Sequence, residues 1–502
     1  MKKEQKELSA STSIYFSLVT LLVLSLLFTL LEGARIEGLK ANVRMNSELV
    51  AESVLAGYVS PLWENYHIFA GNGMGDDGQW SAGSILISAD TIAKENLSRE
   101  KGTQRGLWLY PMQAEGVSLG EYHLLTDDKG EAFCRLAAEY MKNHMAAAGV
   151  EAVKEKLQEM QGAKNKAGNM DEKVENANSC MQKAKEEAEA AEKEQGAGSV
   201  PTVSDTAKIE NPLEYRKAWK ASDFFTLLGV KPTVLSEKKT DIAQNLERRK
   251  KQTGNWTKGK VTASWEEQIL FQEYLLQQFS CYPAGGEQEE KSERVLDYEV
   301  EYLLAGKASD RQNLKAVLKK LLALREVANF VYLQTDEQKK SEAMTLATLL
   351  VGATGNALLV KGVQQGILAV WAYAESVSDV KSLLDGEEIP ILKTAKQWTT
   401  DVGGLSKKTG FKKAEKCETG LTYRDYLRLL LAAENRGKVC YRAMDLMEWE
   451  LRAMQGYETL RMDMLWDKCS LTCEYEAKPL FVSAVRQEYH WSVQKVAEYL
   501  TE

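Results

Sequence analysis

Ile14-Tyr-Phe-Ser-Leu-Val-Thr-Leu-Leu-Val-Leu-Ser-Leu-Leu-Phe-Thr-Leu-Leu31 runs for eighteen residues without a charge, and Glu32-Gly-Ala-Arg35 follows at once. Thirteen of the eighteen are Leu, Val, Ile or Phe. As a helix the run reaches ~27 Å, close to the ~30 Å hydrocarbon core of a bilayer. Those side chains favour insertion by about 4–8 kcal/mol. Ser17, Thr20, Ser25 and Thr29 weaken this little, because a helix lets their hydroxyls bond back to its own carbonyls. The reading is a transmembrane helix over Ile14 to Leu31. Lys2, Lys3 and Lys6 raise the rival reading of a signal peptide. The apolar run, however, exceeds the usual ~7–15 residues, and Leu31-Glu32-Gly33 is a poor cleavage site. Charge does not set the orientation, since Arg35, Lys40 and Arg44 on one side match the three lysines on the other.

The helix is expected to continue beyond Arg35. Ile36, Leu39, Val43, Val50, Val54 and Tyr58 recur at helical spacing, with Glu37, Lys40, Arg44, Glu48 and Glu52 between them, and no Pro comes before Pro61. One helix from about Ile14 to Val59 would be ~69 Å long, apolar all round below and amphipathic above. That is a membrane peg running on into a helix beneath a globular head.

The 502 residues suit two or three folding units, 44% apolar residues supply core material, and only 8 Pro leave room for long helices. A net charge of -8 argues against nucleic acid as a partner. Seven Cys, at 134, 180, 281, 417, 440, 469 and 473, are an odd number without zinc spacing, so neither a disulfide scaffold nor a metal centre is read from them. No catalytic, cofactor-binding or metal-ligating residue is assigned.

Along the chain, Gly71-Asn-Gly-Met-Gly-Asp-Asp-Gly78 lacks the Lys or Ser/Thr of a phosphate cradle and reads as a connection. Leu107 to Met112 and Val117 to Leu124, around Gln113-Ala-Glu-Gly116, read as a β-hairpin. Asp127 or Asp128 should cap a helix through Phe133, Leu136, Tyr140 and Met141, which explains the acidic pair better than a metal does. Val153, Met160, Ala167, Val174, Met181 and Ala188 step by seven, with Ala163, Met170, Ala177, Ala184 and Ala191 three residues later: a coiled-coil-like arm. Gly196 to Pro212 reads as a linker. Arg248, Arg249, Lys250, Lys251, Lys258 and Lys260 surround Trp256 and read as a solvated loop or a contact for anionic polymer or lipid. Ala343 to Val360 is again uncharged, but Gly352, Gly355 and Asn356 break it into a buried helical hairpin rather than a second span. Cys469 to Ala477 alternates as a half-buried strand, with both cysteines facing inward. Arg325 is expected to pair with Glu299 or Glu301.

The fold class that follows is α+β, predominantly helical, with one N-terminal transmembrane helix continuing into an amphipathic helix. Its ectodomain carries a small mixed sheet and the coiled-coil-like arm. The segments are a short cytoplasmic tail (1–13), the span (14–31), a juxtamembrane helix with the first part of the ectodomain (32–146), the heptad arm (147–196), a linker (197–212) and a helical ectodomain ending in strands (213–502). Neither the region near 107–124 nor the strand at 469–477 is stable alone, so both halves should share one sheet, covered by helices of residues 300–453. The arm and linker would then be an insertion whose removal leaves a folded head.

Ser11 to Ala34 resembles the opening of an uncharacterised family of Gram-positive membrane proteins. The N-terminus of that family is similar to the TadE/TadG-like pseudopilins of tight-adherence (Flp) pilus systems. Further resembling stretches are Tyr58 to Phe69, Tyr298-Glu-Val-Glu-Tyr302, Gly306-Lys307, Asn313-Leu314, Leu322-Ala-Leu-Arg-Glu326, Trp371-Ala-Tyr-Ala-Glu375, Lys393-Thr-Ala395 and Thr422-Tyr-Arg-Asp-Tyr-Leu-Arg428. Pseudopilins usually carry a Glu five residues into the apolar segment; here Thr12, Ser13, Ile14, Tyr15 and Phe16 stand in that region and the first acid after Ser11 is Glu32. The resemblance implies a cell-membrane protein with its ectodomain outside, touching lipid through residues 14–31 and serving pilus-assembly or secretion proteins. The function expected is structural or in assembly, without enzymatic activity. The alternative is a surface-anchored module binding wall polymer or another protein through the basic loop and exposed aromatics. A wall hydrolase using Asp76 and Asp77 is disfavoured, because adjacent acids in a glycine-rich loop are not held across a cleft.

Overall fold

The computed structural model describes residues 2–75, 78–97, 109–142, 144, 155–156, 158, 169–195, 212–221, 223–231, 235–257, 259, 263–285, 294–401, 420–481 and 487–500. The chain forms two compact units. The first comprises Met1–Leu136, Lys250–Thr262 and Leu451–Glu502; the second comprises Ala137–Arg249 and Ala263–Glu450.

The first unit is built on α1, an unbroken helix from Lys2–Leu55. Its lower part, from Thr12 to Leu31, has every side chain exposed and is long and apolar enough to cross a membrane. Ser17, Thr20, Ser25 and Thr29 donate to the carbonyls of Ile14, Phe16, Leu22 and Ser25 at 2.7–2.9 Å, so the hydroxyls in the apolar run are satisfied within the helix. Higher up, Leu39, Val43, Val50, Ala51 and Val54 form one buried stripe. That stripe, with Ile85, Ala89 and Ala93 of α3 (Gly83–Leu97), packs under a four-stranded sheet. A short α2 (Ser60–Tyr66) follows α1.

The sheet contains β1 (Gly71–Asn72), β2 (Gln113–Leu124), β3 (Leu465–Ala477) and β4 (Tyr489–Glu498). β3 is central: β2 flanks one side, β4 and the two-residue β1 the other, and every pairing is antiparallel. The sheet is therefore antiparallel, not mixed. Strands from both ends of the chain do meet in it, but α1 and α3 supply the apolar cover expected from residues 300–453. The helices of that region belong to the second unit. Cys469, Leu471, Cys473, Tyr475 and Ala477 point into the apolar layer. Among the described residues the expected hairpin does not form: Gln113-Ala-Glu-Gly116 opens β2 instead of turning. The thirteen-residue β3 offers a partner along the whole length, and register shifts at Ala114/Gly116, Leu119/Tyr122 and His123/Leu124 absorb the irregularity. Leu107 and Trp108 lie outside the described residues. Gly71 and Asn72 of the glycine-rich stretch pair with Trp466 and Leu465, while Asp76 and Asp77 also lie outside.

The second unit is helical. Helices start where the sequence offers caps: Ser264 with Glu267 before Trp265–Gln278, Asp336 before Glu337–Val351, and Thr422 with Asp425 before Tyr423–Ala433. Gly355 in the left-handed region and Asn356, which accepts from the Leu358 N–H, end one helix and start the next, Ala357–Leu384. Ala357–Leu384 is also long and apolar enough to span, but 67% of its most apolar window is buried in the unit. The helix Met170–Gln195 lies on it, with the heptad positions Met170, Val174, Ala177 and Ala184 buried. A Cβ at Gly366 would sit 2.2 Å from the Ala177 Cβ, so the alanine seam and this glycine together allow the close approach. This part of the expected arm thus packs on its own unit. Val153, Met160, Ala163 and Ala167 lie outside the described residues, as does nearly all of the expected linker.

Candidate functional site

In the second unit the residues of several motif stretches converge on one buried network. Arg325, from the helix Asp310–Thr335, and Asp379, from Ala357–Leu384, pair at 2.9 Å, each about 1% exposed. Arg325 also donates to the carbonyls of Pro390 and Ile391 and to the Tyr426 hydroxyl, at 2.7–2.9 Å. Lys393, fully buried, pairs with both Glu375 and Asp379. Glu375 further accepts from the N–H and hydroxyl of Thr399 and Thr400. Burial alone would raise the Asp379 pKa, but Lys393 and Arg325 hold it below the ordinary carboxylate value. Two cations face two carboxylates, so the cluster is charge-balanced and ties two long helices to the 389–400 segment and to Tyr423–Ala433.

Arg325 therefore pairs with neither Glu299 nor Glu301. Glu299 is taken by Arg294 and by Ser280, whose N–H and hydroxyl donate at 2.9 and 3.0 Å. Glu301 accepts from the Tyr282 N–H at 3.0 Å and the Tyr423 hydroxyl at 2.7 Å. Both donors are neutral, and burial pushes its carboxyl up to about 7.

In the first unit a second buried charge pair stands where α1 leaves its apolar run. Glu32 and Arg35, each 3% exposed, pair at 2.7 Å. The other Glu32 oxygen accepts from the backbone N–H groups of Leu480 and Phe481, at 3.2 and 2.8 Å. Arg35 Nε donates to the Leu109 carbonyl at 2.7 Å. Burial would raise the Glu32 pKa; the Phe481 N–H, Arg35 and the Leu480 N–H outweigh it and lower it. The Phe481 ring stacks on Phe28 with centroids 6.5 Å apart. Tyr110 lies so close to α1 that a Cβ at Gly38 would meet its ring at 2.2 Å, which explains a glycine inside a helix. Two distant segments are thus latched to α1 at one level. Glu32 and Arg35 read in sequence only as the charges that end the span; their partners, more than 70 and 400 residues away, left no local signal.

A cleft of about 340 Å³, open mouth included, is lined by His123, Asp128, Glu131, Arg135, Asp467, Lys468 and Glu498, among others. His123 Nδ1 bonds Asp467 at 2.6 Å, and its Nε2 lies 3.8 Å from Asp128. Burial lowers the His123 pKa, yet the hydrogen bond and charge of Asp467 prevail and hold it raised. Asp128 and Lys129 have φ of 48° and 66°, a strained left-handed turn for non-glycine residues. Asp127, one of the two residues expected to cap the next helix, turns its carboxylate elsewhere. The Asp127 carboxylate instead reaches back to the Leu124 N–H at 2.9 Å and across to the Gly254 N–H at 3.0 Å.

Of the basic cluster, Arg249 makes a two-pronged pair with Glu448 at 2.6 Å, and Lys468 stands 4.9 Å over the Trp256 ring; Lys258 and Lys260 lie outside the described residues. Glu115, Glu476 and His490, one on each of β2, β3 and β4, bring potential metal-ligand atoms within 4.8 Å of one another. Strand register alone assembles them, so no sequence spacing marks the group. Cys469 and Cys473 are free thiols in the core, and burial pushes the Cys469 thiol up to about 12.

A family model described as a family of unknown function, DUF5702, matches residues 202–477, more than half of the chain. No curated protein and no solved structure matches. The chain belongs to the DUF5702 family.

Proposed function

We propose that this DUF5702 member is a single-pass, membrane-anchored structural or assembly protein, accessory to a tight-adherence pilus or secretion system, with everything after Gly33 outside the cell. The observation that supports this most is that one helix is both candidate span and core. α1 carries the exposed apolar run at Ile14 to Leu31 and, without a break, the buried stripe from Leu39 to Val54. A head joined to its span through its own core helix has a set height and direction above the bilayer, as a component docking in a machine requires.

The buried network of the second unit agrees with this reading. Arg325, Glu375, Asp379 and Lys393 partner one another, and so hold helices together rather than face a substrate. The resemblance of Ser11 to Ala34 to a family whose N-terminus is similar to TadE/TadG-like pseudopilins suggests the kind of machine. The missing early Glu argues for an accessory that keeps its anchor rather than a processed filament subunit.

Two experiments test the proposal. A reagent that cannot cross membranes should label a tag at Glu502 in intact cells; labelling only after lysis reverses the orientation. Detergent-solubilised membranes should yield the chain together with tight-adherence components. A chain recovered without them that instead co-sediments with wall polymer would favour the surface-binding alternative.

A further inference from the structure

We propose that Leu109, Tyr110, Leu480 and Phe481 form a rim around α1 that sits in the headgroup–acyl boundary of the bilayer, a second membrane contact besides the span. The inference rests on reading Ile14 to Leu31 as that span, and three observations carry it.

Depth comes first. Phe481 stacks on Phe28, a residue within the apolar run itself, so Phe481, four residues past the end of β3, stands level with the last turn of the span. Tyr110 packs at Gly38, seven residues above Leu31 and ~10 Å higher along the axis, the level at which aromatic side chains line membrane interfaces.

Exposure comes second. Leu109, Tyr110 and Leu480 are 39%, 38% and 43% exposed, unlike the covered face of the sheet. Leu30 and Leu31, at the end of the apolar run, are 67% and 43% exposed.

The third observation is how the backbone is satisfied. A loop entering low dielectric must have its N–H and C=O groups bonded within the protein. Glu32 accepts from the N–H groups of Leu480 and Phe481, and Arg35 donates to the Leu109 carbonyl. The two charges that do this neutralise each other and are buried behind the rim. A water-facing loop would not need a buried ion pair to serve its amides. The occupant that fits is lipid, with acyl carbons against Leu480 and Phe481 and headgroups level with Tyr110.

The test uses the full chain in vesicles of phosphatidylcholine and phosphatidylglycerol. Cys180, Cys281 and Cys417 are replaced by Ser, and single nitroxides are placed through Leu480→Cys, Tyr110→Cys, Leu24→Cys or Gln494→Cys. Gln494 is exposed on β4, five residues and ~17 Å along the strand from the rim end at Tyr489. Collision with oxygen, which concentrates in lipid, is compared with collision with a water-soluble nickel chelate. The expected order of lipid depth is Leu24, Leu480, Tyr110, Gln494, with nickel collisions at Leu480 at least several-fold fewer than at Gln494. A Leu480 label as open to nickel as Gln494, beside a Leu24 label in lipid, overturns the rim and leaves the span standing. A Leu24 label in water overturns the span and the rim with it.

Discussion

Arg325 shows how far a single residue can be read. Its place among apolar neighbours in a helical pattern marks it as buried, and it is 1% exposed. Its partner, Asp379, lies 54 positions along the chain and is chosen by the packing of two helices. Arg325→Leu leaves Lys393 as the one cation of the network against Glu375 and Asp379, takes a donor from Tyr426, and should lower stability by about 3–5 kcal/mol in denaturant titration. An unchanged midpoint would mean the network contributes nothing. Glu301 supplies a pH signature. Its folded pKa, about 7, stands above the ordinary 4.5, so its contribution is full below about pH 4.5 and is lost as pH rises through 7. Glu301→Gln should leave stability near pH 4.5 little changed and raise it relative to the parent near pH 8, by at most about 3 kcal/mol. Parallel stability–pH curves for the two proteins would refute the assignment.

Among the elements, the helix Met170–Gln195 depends on small residues on both sides of its contact. Gly366→Val would drive a branched side chain into Ala177 and Leu213, whose atoms stand 2.2 and 3.0 Å from the added Cβ. Overpacking of this kind costs about 1–3 kcal/mol, and it should also lift the helix enough for a protease to cut between Met170 and Gln195 sooner than in the parent. Equal cutting rates would show that the seam tolerates separation. The heptad spacing foretold a helix with an alanine stripe; that the stripe meets Ala357–Leu384 depends on glycines nearly two hundred residues later. β3 was legible from its alternation alone. β2 was legible only in its Val117 to Leu124 part; Gln113-Ala-Glu-Gly116 carries turn chemistry, and only the long neighbouring strand converts it into ladder.

At the scale of the whole molecule, α1 joins the candidate span to the first unit's core, and Met170–Gln195 belongs to the second unit's core. Deleting residues 150–198, which the sequence suggested would leave a folded head, should therefore uncover the Gly362 and Gly366 face of Ala357–Leu384. Calorimetry should show the second unit melting at lower temperature or aggregating, while the first keeps its transition. A deletion variant with both transitions intact would mean that the helix is dispensable.

The sequence by itself determined what depends on local pattern: the apolar run at Ile14 to Leu31, the amphipathic continuation to Val54, the break at Gly355-Asn356, and the half-buried strand at Cys469 to Ala477. Each is a matter of periodicity or of one residue's backbone preference, and neighbours a few positions away suffice to specify it. Tertiary structure alone decided the pairing of Arg325 with Asp379, the cover of the sheet by α1 and α3, and the latch of Leu109, Leu480 and Phe481 onto Glu32 and Arg35. In each of these, the partner is selected by burial across tens to hundreds of intervening residues. A buried charge or N–H takes whichever complementary group the fold brings within 3 Å, and no spacing along the chain records that choice.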